Sequence, residues 1–202
     1  MSEASIPDWI SSIAAAIGAL AVVIGLFRAD KKVSEVLRNA RLLKRSEIAE
    51  ELIAIALNVE DAMKDIRNPF DSIPKEKAQD RLYGYQRRYE RLAKYNELFQ
   101  RLREAQIRER ALIGDSEVSR SVDVLFDARS EVAVAIEMLA DLSQEIDSRP
   151  SQEERDQRVR MRRTLYGSFS DADELGSKVS GAVNEIEKRL RPYARLEDTK
   201  TP

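Results

Sequence analysis

The stretch from Trp9 to Phe27 constrains this chain most. It contains 19 residues and no charge, in a protein that is otherwise 35% charged. At about 1.5 Å per residue a helix of this length reaches roughly 28 Å, close to the hydrocarbon thickness of a bilayer. The expectation is a transmembrane helix. Pro7 suits a first helical turn, and Asp8 favours the positive end of the helix dipole. Trp9, the only tryptophan, suits the headgroup level.

The flanks assign a direction. Glu3 and Asp8 precede the stretch with no Lys or Arg, whereas Arg28, Lys31, Lys32, Arg38, Arg41, Lys44 and Arg45 follow it. Basic residues are retained on the cytoplasmic side. Residues 1–8 are therefore expected outside, 9–27 across the inner (plasma) membrane, and the rest in the cytoplasm. A secretory signal would need a basic leading segment, and an interfacial helix would need a charged face. Neither is present. Residues 28–47 form a basic juxtamembrane helix continuous with the span. Arg28, Lys31, Lys32, Arg38 and Arg41 are candidates for contact with the anionic leaflet.

Within the span Ser11, Ala14, Gly18, Ala21 and Gly25 recur every three or four residues. Lipid tails are as apolar as leucine, so membrane helices associate through close backbone packing, which small residues permit. These five residues are the candidate self-association seam, and a homo-oligomer is the expected state.

Past the span, four apolar stripes at helical period suggest four long helices. Leu42, Ala49, Leu52, Ala56, Val59, Met63 and Ile66 form the first, which stops before Asn68-Pro69. Leu82, Tyr85, Tyr89, Leu92, Phe99 and Leu102 form the second, in a helix expected from about Ser72 to Ile113. Glu90, Glu97 and Glu104 precede Lys94, Arg101 and Arg108 by four residues, which predicts ion pairs along that helix. The third stripe, with Val118, Val122, Leu125, Val132, Ile136 and Leu139, follows a cap at Asp115 or Ser116 and runs to about Asp147. A capping box at Ser151 and Glu154 starts the fourth. Its glycines predict a break near Gly167, and it is expected to stop at Arg191, before Pro192. The fold class is all-α: one transmembrane helix followed by an antiparallel up-down four-helix bundle over 42–191, then a flexible tail over 192–202.

Composition excludes more than it assigns. There is no cysteine and no histidine. Thiolate and imidazole metal sites, Ser-His-Asp and Cys-His catalysis are therefore ruled out. So is the Arg-x(4–6)-His motif of HEPN-type helical nucleases. A net charge of −2 sets up no global field toward nucleic acid. The Tyr83–Arg91 run and the arginines of 155–163 are expected to be solvated faces. No catalytic residue, cofactor or metal is expected. The leading expectation is a membrane-anchored interaction or scaffold module that contacts the lipid bilayer and associates with itself. The alternative is an oligomeric membrane effector or pore assembled through the span, gated by its apolar lining.

Overall fold

The computed structural model describes residues 8–70, 73–144, 151–166 and 173–196, with the backbone alone for 8–31 and 34. Every regular element among the described residues is helical. The first, α1, is a single helix of 59 residues, Asp8–Ile66. Among the described residues no helix is long and apolar enough to cross a membrane. The expected span, Trp9 to Phe27, lies in α1 on backbone grounds, and its side chains fall outside the described residues. So do those of Ser11, Ala14, Gly18, Ala21, Gly25, Arg28 and Lys31.

The chain divides into two units, residues 1–44 and 45–202. In the second, the C-terminal part of α1 is followed by α2 (Tyr83–Lys94), α3 (Asn96–Leu112), α4 (Ser116–Gln144), α5 (Gln152–Tyr166) and α6 (Glu174–Ala194). The hydrogen bonds at two ends fix the directions. At one end Arg45 Nε donates to the Leu112 carbonyl, Ser46 Oγ to the Ala194 carbonyl, and Arg189 to Asp115. At the other, Arg67 meets Thr164 and Asp173, and Arg88 meets Asn68. The end of α1, the α2–α3 pair, α4 and α6 therefore run in alternate directions.

The helix α4 lies at the centre, against α2, α3, α5 and α6. It buries Val118, Val122, Leu125, Ala128, Val132, Ala135, Ile136 and Leu139. So broad a buried face is what a helix touching several neighbours needs. The remaining core comes from Leu52, Ile55, Val59 and Ile66 of α1, Phe99 and Leu102 of α3, Leu165, and Ile186 and Leu190 of α6.

Several expectations hold. Asp115 Oδ1 accepts from the Glu117 and Val118 amides and caps α4. Ser151 and Glu154 exchange the two bonds of a capping box. The break expected near Gly167 falls outside the described residues. Gly114 ends α3 at φ +78°, where its amide and that of Ile113 both reach the Glu109 carbonyl. Such a left-handed residue without a side chain is the usual end of a helix.

Others need correction. The second long helix does not start at Ser72. A short 3-10 turn occupies Lys75–Lys77, and α2 begins at Tyr83, where Asp80 Oδ1 receives the Leu82 and Tyr83 amides. Residues 73–81 carry no apolar stripe to bury, so nothing holds them in a long helix. At Tyr95 the helix is interrupted between α2 and α3, and the Tyr95 hydroxyl donates to Asp65. The stripe through α2 is also shifted: Arg88 is buried and Tyr89 exposed. Pro192 does not stop α6, which continues to Ala194. A proline in the last turn forfeits only one hydrogen bond, and Tyr193 and Ala194 pack against the core. Leu42 is exposed, and the buried stripe of α1 starts at Ile48.

Candidate interaction surface

Of the expected membrane-surface cations, Lys32, Arg38 and Arg41 are exposed on α1. Between them stands a feature that the basic character of the segment conceals. Val33 is 56% exposed, Val36 66%, Leu37 54% and Leu43 55%. With Ala40, also exposed, they follow the spacing Val33, Val36, Ala40, Leu43, an alternation of three and four. That spacing places side chains along one line of a helix, with Leu37 beside it, while Arg38 and Arg41 lie on the other side. In sequence the same alternation reaches back through Ala29 and Leu26 to Val22. It ends ahead because Glu47 and Glu50 occupy the next two positions. The core of the second unit uses a different set: Ile48, Ala49, Leu52, Ile55, Ala56 and Val59. The exposed line is thus no part of that core. The spacing of Val33, Val36, Ala40 and Leu43 was the signal available in the sequence.

Elsewhere the charges are mostly spent within the fold. Arg67 is buried, donates to both Asp173 oxygens at 2.8 and 2.6 Å, and gives Nε to the Thr164 carbonyl at 2.8 Å. Burial works against ionising Asp173, but the Arg67 guanidinium and the Gly176 amide outweigh it and hold the carboxyl below its ordinary range. This pair borders a cleft of about 330 Å³ that Glu60, Met63, Lys64 and Ser177 also line. Arg88 gives its guanidinium to the Asn68 carbonyl at 2.9 Å, and Arg91 donates to that of Asp65 at 3.0 Å. These two close the carbonyl end of α1.

The i, i+4 ion pairs expected along α2 and α3 are replaced by other contacts, within a helix and between helices. Glu90 pairs with Arg87, Glu104 accepts from Gln100, and Arg108 reaches Glu51 of α1 at 2.7 Å. Arg103 lies 4.0 Å over the Phe126 ring, and Arg129 4.7 Å over Phe99. Glu109, in the polar series of α3, is fully buried at the α3–α4 turn. One carboxylate oxygen accepts from the Asp115 amide at 2.9 Å, and the other has no hydrogen bond. Burial pushes its carboxyl up, with the Asp115 amide pulling the other way.

The end near Gly114 is less available to a lipid surface than its cations suggest. Arg189 binds Asp115 and Glu185, Arg191 binds Glu187, and Lys188 lies 3.7 Å from Glu185. Among the described residues no cluster of acidic side chains is arranged to hold a metal ion. Among the described side chains of α1, the apolar line from Val33 to Leu43 stays exposed. No family model matches the chain, and no curated protein or solved structure is found similar to it.

Proposed function

We propose that the protein is a membrane-anchored interaction module whose anchor helices associate in parallel. The apolar stretch Trp9–Phe27 spans the inner membrane, the N-terminus lies outside, and residues 45–194 form an up-down four-helix bundle in the cytoplasm. The observation that carries the reading is the exposed line Val33, Val36, Ala40 and Leu43. Soluble surfaces seldom leave four apolar residues of one helix face in water.

A second copy is the occupant that fits. Two chains anchored in one bilayer leave it side by side and in the same direction, which aligns each line with its own equivalent. The alternation of three and four is the pattern by which paired helices interlock. Arg38 and Arg41 lie away from the line, so their charges do not oppose one another across the pair. Within the bilayer the small residues Ser11, Ala14, Gly18, Ala21 and Gly25 support close approach.

The chain has no cysteine, so a single introduced thiol reports one contact. In membranes, V36C or A40C is expected to form an oxidised dimer rapidly, and R38C slowly. Equal rates at all three positions would refute the parallel pair. Recovery of the full chain from carbonate-washed membranes in the soluble fraction would refute the anchor.

A further inference from the structure

The apolar alternation on α1 is interrupted by charge rather than exhausted. In sequence, the spacing of three and four that gives Val33, Val36, Ala40 and Leu43 continues to Glu47, Glu50, Ala54 and Leu57. Asp61 and Lys64 come next and form an ion pair at 3.6 Å. From Glu47 onward all of these side chains are exposed, Leu57 by 42%. The core residues of the same stretch, Leu52, Ile55 and Val59, are buried on the other side of the helix. Ala54 and Leu57 therefore resume the apolar repeat, and two successive carboxylates stand between its two parts.

Carboxylates at these two positions oppose pairing, whatever they contact on their own chain. Joining two helices along such a line takes its side chains out of water, and in a parallel pair each residue meets its own equivalent. Glu47 would meet Glu47 and Glu50 would meet Glu50, so four like charges would gather within one helical turn. Removing a carboxylate from water beside another of the same sign is unfavourable on both counts. The residues beside the line offer little relief. Lys44 and Glu51 flank it on one side, Ser46 and Ile53 on the other. Glu51 is already engaged by Arg108 of α3. The Ser46 hydroxyl lies 3.3 Å from a Glu50 oxygen, and a hydroxyl brings no counter-charge.

We propose that Glu47 and Glu50 are a stop in the self-pairing of α1. Two copies join along Val33, Val36, Ala40 and Leu43, the pairing ends at Glu47, and Ala54 and Leu57 stay unpaired. The inference rests on the parallel pairing proposed above and adds where that pairing ends. Without the two carboxylates the apolar repeat would run on from Leu43 to Ala54, a rise of about 16 Å, and would join the bundles as well as the helices before them. With them, two copies are held together ahead of the bundles, whose own outer faces on α1 remain separate.

The test is disulfide formation in membranes by single cysteines in the full chain. V36C reports the pairing itself, and A54C reports its continuation. V36C is expected to oxidise rapidly with or without E47A/E50L. A54C is expected to oxidise about tenfold more slowly than V36C, and to gain about tenfold when E47A/E50L is added, because burying an uncompensated carboxylate costs at least that factor. The unfolding midpoint of E47A/E50L should be unchanged, since both side chains are exposed. A second variant, E47K/E50K, keeps the charge and reverses its sign. Alone it should leave A54C slow. Co-expressed with A54C chains that retain Glu47 and Glu50, it should give rapid mixed dimers, told apart by a tag on one chain. Slow oxidation of V36C would overturn the parallel pairing and the stop with it. Rapid V36C with equally rapid A54C, Glu47 and Glu50 being intact, would overturn the stop and leave the pairing standing. So would an A54C rate that rises neither in E47A/E50L nor in the mixed dimers.

Discussion

Arg67 and Asp173 show how much a buried ion pair depends on both partners. The guanidinium is nearly inaccessible, and Asp173 also caps α6 by accepting from the Gly176 amide at 2.9 Å. Substitution D173N keeps a good cap and removes the charge. It is expected to cost about 3 kcal/mol in urea unfolding, because the guanidinium stays buried without its counter-charge. A cost below about 1 kcal/mol would mean that the other partners of Arg67, the Thr164 and Arg163 carbonyls among them, hold it without the Asp173 charge. Glu109 and Asp173 give opposite pH dependence. The Asp173 carboxyl is depressed, so its stabilisation is present above the ordinary carboxylate pKa and is lost as pH falls through its lower folded value. The Glu109 carboxyl is raised, so the fold loses stability as pH climbs from the ordinary glutamate value to the raised one. E109Q keeps an oxygen for the Asp115 amide and removes that titration. The stability of E109Q relative to wild type should therefore be greater at pH 7 than at pH 4. A gap that stays constant or reverses would contradict the burial of a proton-binding carboxyl. At Gly114 the left-handed backbone alone predicts that G114A costs about 1 kcal/mol.

Elements differ in how openly the sequence declares them. The core stripe of α4 is legible residue by residue, because a helix buried on a broad face has to repeat apolar side chains at helical period. The caps at Asp115 and Ser151 are equally plain, since a short oxygen-bearing side chain before an apolar run has few other uses. In α2 the same reasoning fails. Periodicity sends arginine outward and tyrosine inward, yet Arg88 turns in, because its long side chain closes the carbonyl end of α1. Distant carbonyls leave no trace in the local pattern, and Glu109 escapes for the same reason. Its place is fixed by the chain reversal at Gly114 and by the Asp115 amide. On α1 the difficulty is one of emphasis, because five basic residues over 31–41 and at Arg28 mask the apolar line between them. The pairing of that line predicts that V36C and A40C cross-link in membranes faster than R38C. V33S/L43S should lower the V36C cross-linking rate without changing the unfolding midpoint, since neither residue belongs to the core.

The whole molecule separates where its interactions change. Every buried side chain among the described residues lies at or beyond Ser46. The division into residues 1–44 and 45–202 falls at the same place. A chain shortened to begin at Lys44 therefore keeps the core, the Ser46–Ala194 bond and the Arg45–Leu112 bond. It is expected to unfold cooperatively, with a urea midpoint equal to that of the full chain in detergent, and to sediment as a monomer. A chain beginning at Lys31 keeps Val33, Val36, Ala40 and Leu43 but only about two heptads of the repeat, and isolated helices of about 12–15 residues are marginal in water. It should associate weakly and reversibly, whereas the full chain, with the span to align its copies, should remain associated after dilution. Association and folding then reside in different parts of the sequence. If the Lys44 chain retained the mass of the full-length oligomer, the bundle surface would be the interface and the exposed line of α1 would not. If instead it lost cooperative unfolding, residues before Lys44 would have to stabilise a core to which none of their described side chains contributes.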